Sequence, residues 1–173
     1  TTYTLQSSSE ITLGRLIAMQ LFEEGYNIRA HSYATGTDSL VIDEQSMIEG
    51  TSLVHMMAMS GASVLGGAGQ LETAKTISPI QLIIDNEVFG IAQTLKQGLA
   101  INDETIAWEE ILTSSGHDGF ISSEHTLNHF QEIHRPELFN RDGMINWEAE
   151  GKKTLMDKVV ERYNELKANP VMH

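Results

Sequence analysis

The chain has 173 residues, 40% of them apolar and 20% charged, enough for one soluble domain with a sizeable core. Its 11 Lys and Arg stand against 24 Asp and Glu, a formal charge of −13 that argues against nucleic acid as a partner. The absence of cysteine excludes disulfides, thiolate catalysis and Cys-type zinc sites.

Residues 3–6 read as the end of a strand that runs into the polar turn Ser7, Ser8, Ser9 and Glu10. A first helix is predicted from about Glu10 to Glu24, with apolar positions Leu13, Leu16, Ile17, Ala18, Met19 and Leu21 and with Gly25 as its C′ residue. The alternation around Ile28 and Ala30 predicts a strand ending near Tyr33. A Thr-, Gly-, Ser- and Asp-rich loop follows, then a helix over about Asp43 to Ser60. That helix is apolar around much of its circumference (Met47, Ile48, Leu53, Val54, Met56, Met57, Met59), so burial on more than one side is expected.

ASVLGGAG, residues 62–69, reads as a buried strand closed by glycines that permit close approach to the backbone. QLETAKTI is a loop. Ser78-Pro79-Ile80-Gln81 is the cleanest local signal: Ser78 as N-cap, Pro79 at the first helical position and Gln81 closing a capping box, with a helix to about Gln97 and a stop at Gly98. Beyond Gly98 the pattern turns helical. One helix is predicted over Asp103 to Ser115 ending at Gly116, a turn at GHDGF, and a short helix capped by Ser122 or Ser123 through about Ile133. An irregular stretch with a turn at Asp142-Gly143 follows, then a last amphipathic helix over about Glu148 to Ala168. Two domains are therefore expected, βα units over 1–98 and a helical extension over 99–173 packed on them.

No run of about 18 apolar residues is present to span a membrane, and TTYTLQSSSE is not a signal peptide, so the expected location is cytoplasmic.

Candidate site residues concentrate between strand and helix over 26–49, where His31, Ser32, Tyr33, Asp38, Asp43, Gln45 and Glu49 are more than a connection needs. In βα barrels the chemistry sits on such loops. Gln45 and Glu49 are i, i+4 on one helical face and want partners, His31 or a neighbouring loop's backbone. Gln70 and Glu72 follow the glycine-rich strand; GGAG lacks the Walker lysine and the GxGxxG spacing, which speaks against a nucleotide. His125 and His129, i, i+4 with Glu132 nearby, are a weak metal candidate, with interface or capping histidines as the alternative. Asp85 and Glu87 are assigned a structural role, one of them pairing with an arginine such as Arg135 or Arg141.

The run from TDSLVIDEQSMIE through GASVLGGAGQLE and ISPIQLIIDNEVFG to SSEHTLNHFQEIHRPELFNRDGMINWEAEGKKTL resembles the C-terminal part of the trimethylamine:corrinoid methyltransferase family, in its non-pyrrolysine form, over about residues 5–168. The resemblance implies an α/β fold, the last three βα units of a (β/α)8 TIM barrel plus a helical C-terminal extension. It also implies methyl transfer from a methylated or quaternary amine to the cobalt of a corrinoid (cobalamin) held by a partner protein, with no cofactor bound tightly here. Some members carry pyrrolysine in the active site; this sequence has none, which argues against trimethylamine itself.

His31, Tyr33, Asp38, Gln45, Glu49 and Gln70 are then the expected substrate-binding residues, Tyr33 as a wall of a cation cage and Asp38 as its electrostatic partner. No catalytic side chain is assigned. The bland alternative is an Asx-turn aspartate beside a satisfied interior His and Tyr. A partial barrel leaves open sheet edges, so a homo-oligomer or a barrel completed by other residues is expected. The alternative function is a non-catalytic piece of the same fold, acting only in binding or assembly.

Overall fold

The computed structural model describes residues 6–114 and 119–170. By contacts the chain divides into two units, one holding the residues up to Lys96 together with those from Pro136 onward, the other Gln97–Arg135. The helical extension expected over 99–173 is thus split, its C-terminal part belonging with the βα elements.

In the first unit, α1 (Ser9–Gln20) starts where the Ser8 hydroxyl accepts the Ile11 N–H and Glu10 faces the positive helix end. It widens into a π-helical turn over Leu21–Gly25. The left-handed residue that ends it is Asn27 at φ 52°, not the expected Gly25, because the wider turn carries the reversal two residues on. Strand β1 (His31–Tyr33) follows. Helix α2 (Glu44–Met59) is capped by a reciprocal box in which Asp43 Oδ1 accepts the Ser46 N–H at 2.9 Å and Ser46 Oγ accepts the Asp43 N–H at 3.1 Å.

Strand β2 (Val64–Gly66) pairs parallel with β1, His31 opposite Val64 and Tyr33 opposite Gly66. Where a loop was expected, β3 (Gln70–Leu71) and β4 (Thr76–Ile77) form a short antiparallel ribbon. Helix α3 (Pro79–Gln97) begins with the Gln81 N–H donated to Ser78 Oγ and is followed by Gly98 at φ +67°. Gln81 does not close the capping box; its side chain turns inward to Asp85.

The sequence pattern is met as an α/β arrangement, with a parallel sheet of two strands among the described residues. The strand read at residues 3–6 lies almost wholly outside those residues. Along β1, Ala30, Ser32 and Ala34 face the helices and His31 and Tyr33 point the other way, as strand alternation requires. The core gathers Met19 of α1, Leu53, Val54, Met57 and Ala58 of α2, Val88 and Ala92 of α3, and Ala34 and Ala62. Burying each larger side chain contributes about 2 kcal/mol.

The opposite face of the sheet is uncovered: Tyr33 is 50% and Val64 53% exposed, against the expectation of a buried strand. Nor is α2 buried all round, since Ile48, Met56 and Met59 lie on its outer side.

Among its described residues the second unit holds three short α-helices. α4 (Asp103–Ile106) and α5 (Trp108–Thr113) replace the single helix expected there, because Ala107 adopts a left-handed φ of 51° and breaks it. The expected stop at Gly116 and most of the GHDGF turn lie outside the described residues. α6 (Glu124–His129) is capped by Ser123 and runs into a 3-10 turn over Phe130–Glu132.

Back in the first unit, α7 (Met144–Ala149) and α8 (Leu155–Ala168) correct the one long helix expected from Glu148. The reason is local. Lys152 turns left-handed at φ 58°, and Thr154 forms a new capping box with Asp157. Val159 is fully buried, and Phe139 packs against the core. Among the described residues no helix is long and apolar enough to cross a membrane.

Candidate functional site

The uncovered face of β1 carries His31 and Tyr33 side by side, their rings edge-to-face at 5.2 Å and 79°. Glycines keep the neighbouring strand out of their way. A Cβ on Gly66 would stand 2.5 Å from His31 Nε2, and one on Gly67 would stand 3.2 Å from both Tyr33 Cδ1 and Gln70 Oε1. The structure therefore brings His31, Tyr33 and Gln70 together around bare backbone at the end of β2. Gln70 Oε1 is buried there without a hydrogen-bond donor.

Asp38, Gln45 and Glu49 form a second group on the loop after β1. Asp38 Oδ1 accepts the Gln6 N–H at 3.0 Å and the Thr73 hydroxyl at 3.1 Å, and Oδ2 accepts the Ser7 N–H at 3.0 Å. Its oxygens are spent on tying two segments, residues 6–7 and Thr73, to its own loop. Burial lowers the pKa of Arg15 on α1 while Asp38 raises it, and among the described residues its Nη1 has no hydrogen-bond partner.

Glu49 accepts the Thr37 hydroxyl at 2.6 Å and the Asp38 N–H at 2.9 Å on Oε2, and Gln45 Nε2 at 2.9 Å on Oε1. Partial burial alone would raise the Glu49 carboxyl, but these bonds outweigh it and hold it below the usual carboxylate range. Asp43 is likewise held low, first by the Ser46 N–H and then by the Ser39 hydroxyl.

Two features were not anticipated. Glu72, Thr73 and Ala74, none of them glycine, all take left-handed φ (52°, 56° and 67°). Such a run costs about 1 kcal/mol or more per residue and persists only when its surroundings impose it. The imposition is visible: the Glu72 N–H donates to Ser39 O at 2.8 Å and the Thr73 N–H to Thr37 O at 2.9 Å, docking this turn on the loop that bears Asp38.

The second is Asp85. Instead of pairing with an arginine it is buried, accepting the Gly69 N–H at 2.7 Å and Gln81 Nε2 at 2.8 Å. Burial raises its pKa, and the bonds from Gly69 and Gln81 and the nearby Thr35 hydroxyl oppose the rise. Glu87 accepts the Leu138 N–H at 3.3 Å, again in place of an arginine. The Asp-x-Glu spacing in an apolar helix was the available signal for both.

In the second unit, the His125 and His129 ring centroids lie 4.4 Å apart with the planes tilted by 36°. His129 Nδ1 lies 3.0 Å from Glu132 Oε1, the His125 N–H donates to Glu110 at 3.1 Å, and His125 Nε2 is buried without a partner. Among the described residues no three His, Cys, Asp or Glu side chains are grouped to hold a metal ion.

What the first unit offers chemically is an aromatic face on β1, and on the loop and helix that follow it a carboxylate pair, of which Glu49 is held below the usual carboxylate range. That suits an organic cation.

Residues 8–171 match the family model described as trimethylamine methyltransferase (MTTB). The chain is 29% identical over 144 residues to the trimethylamine methyltransferase MttB of Methanosarcina barkeri, covering 83% of this chain and 29% of that protein. It is 33% identical over 140 residues to MttB1 of Methanosarcina acetivorans, covering 79% and 28%. It is 25% identical over 148 residues to the glycine betaine methyltransferase of Desulfitobacterium hafniense strain Y51, covering 84% and 31%. The chain spans less than a third of the length of these relatives. With nearly every residue inside the matched region, the chain belongs to the trimethylamine methyltransferase (MTTB) family.

Proposed function

We propose that these residues form one wall of an active site that moves a methyl group from a methylated or quaternary amine to a corrinoid held by a partner protein. The observation that carries the reading is the exposed His31–Tyr33 face, seated against Gly66 and Gly67 and followed in the chain by the hydrogen-bonded Asp38–Glu49 pair. Relatives named for trimethylamine and for glycine betaine support a methylated-amine substrate.

The space over Gly66 and Gly67 is taken by His31, Tyr33 and Gln70, which these glycines let lie close against the backbone. When bound, the corrinoid supplies a cobalt nucleophile. The protein's part is to hold the ammonium with one methyl presented and to exclude water. Tyr33 offers its ring to the cation, Asp38 and Glu49 supply negative charge from the loop and helix that follow β1, and His31 fixes the Tyr33 ring by edge contact. A quaternary amine leaves as a neutral tertiary amine, so this role calls for no proton donor.

The uncovered sheet face favours the partial-barrel reading, because parallel sheets are covered on both faces. The first 98 residues then supply three βα units, and further strands of a (β/α)8 barrel, from the same protein or another copy, close over His31 and Tyr33.

The test is methylation of the reduced corrinoid protein, followed by its absorbance, using the intact protein that carries these residues. Trimethylamine, tetramethylammonium and glycine betaine are offered in turn. Transfer from at least one, lost on Tyr33→Ala, is the expected result; no transfer from any, with a corrinoid protein shown active elsewhere, refutes the reading. A transfer-inactive protein that still binds the corrinoid protein indicates a purely assembling role.

A further inference from the structure

Asp85 is 2% exposed and belongs to no ion pair among the described residues, an expensive place for a carboxylate. It does not cap α3, a role Ser78 takes. What it holds is Gly69. The Gly69 N–H donates to Asp85 Oδ2 at 2.7 Å, and Gly69 O accepts the Ser78 N–H at 2.8 Å, so this residue is clamped at both of its backbone groups.

Gly69 sits at φ +81° and against α3, where a Cβ would meet Leu82 Cβ at 3.0 Å and Ser78 O at 3.2 Å. On either side of it are Gly67, against Tyr33, and Gln70, whose Oε1 lies over Gly67. A continuous set of contacts thus runs from Asp85 through Gly69 to the Tyr33 face. An apolar side chain at 85 would leave the Gly69 N–H buried without an acceptor, and the turn would have to move to find one.

We propose that Asp85 is a positioning residue for the cation site: by fixing Gly69 it places Gly67 and Gln70 against Tyr33 and so sets the width of the site for a methylated ammonium. This rests on the reading of the His31–Tyr33 face as the amine site. Gln81 adds a prediction. Its Oε1 is buried without a partner while its Nε2 serves Asp85. An asparagine at 85 can therefore keep the Gly69 bond with its oxygen and donate its amide to a flipped Gln81.

The experiment is calorimetric titration of the intact protein with tetramethylammonium chloride, well below the melting temperature of every variant, with circular dichroism to establish the fold. Asp85→Ala and Asp85→Glu are expected to weaken binding about tenfold or more, the glutamate because it keeps the charge but displaces the acceptor by a methylene. Asp85→Asn is expected to stay within about threefold of wild type, and Asp85→Asn with Gln81→Leu to lose that rescue.

If either folded single variant, Asp85→Ala or Asp85→Glu, binds within about twofold of wild type, the positioning role is wrong, whatever its melting temperature. A folded wild type that binds no tetramethylammonium overturns the amine-site reading and this inference with it.

Discussion

The backbone N–H of Asp38 donates to Glu49 Oε2 at 2.9 Å while the Asp38 carboxylate accepts the N–H groups of Gln6 and Ser7, both at 3.0 Å. One carboxylate on α2 thus shapes the loop, and the carboxylate on that loop ties down the segment leading into α1. Two acidic residues eleven positions apart act in series.

Breaking the first link has a defined cost. Thr37, fully buried, donates to Glu49 at 2.6 Å, so Thr37→Val removes one donor to a charged acceptor and is expected to cost about 1.5–3 kcal/mol in urea unfolding. The pH dependence follows from the same bonds. Glu49 has its pKa lowered on folding, so its contribution is present above the unfolded value of about 4.3 and is lost as pH falls through the lower folded value. Glu49→Gln should flatten that part of the acid limb of the stability curve.

Tyr33 is assigned the cation-facing role by its half-exposed ring. Tyr33→Phe should hold tetramethylammonium within about twofold, and Tyr33→Ala should weaken it by about 0.5–1 kcal/mol if the face is solvated or by about 2 kcal/mol if it is closed over. Calorimetric titration reads both.

Two glycines make opposite predictions. Gly14 lies within α1 with nothing near an added Cβ, so Gly14→Ala should stabilise by about 0.5–1 kcal/mol. Gly69, at φ +81° with Leu82 and Ser78 in the way, should lose at least about 1–3 kcal/mol on the same change. Thermal melts of the two variants side by side check the sign of each.

The core and the outer side of α2 should also separate. Leu53, 2% exposed, should cost about 2–5 kcal/mol as alanine, whereas Met59, 67% exposed, should change stability by no more than about 0.5 kcal/mol.

Much of the layout was legible because its signals are local. Asp43 before α2, Ser78-Pro79 before α3 and Ser123 before α6 each satisfy helix N–H groups from within a few residues, and each is found where read. The strand at His31–Tyr33 was legible for the same reason, in the alternation that sets those two side chains opposite Ala30 and Ala34. The clustering of His31, Tyr33 and Gln70 could be anticipated only through the family likeness, since Tyr33 and Gln70 meet over Gly67 through parallel pairing across α2.

By itself, then, the sequence determined the starts of α1 to α4 and α6, the strand–loop–helix order, the acidic balance and the family. The tertiary structure decided what the acidic groups do. Asp85 takes the Gly69 N–H rather than an arginine, Asp38 braces residues 6, 7 and 73, and the left-handed turn at 72–74 is held by the 37–39 loop, which accepts the Glu72 and Thr73 N–H groups. The physical reason is common to all three. A buried donor or acceptor must be matched by whatever the fold brings near it, and that partner lies 16 to 36 residues away, beyond any local pattern.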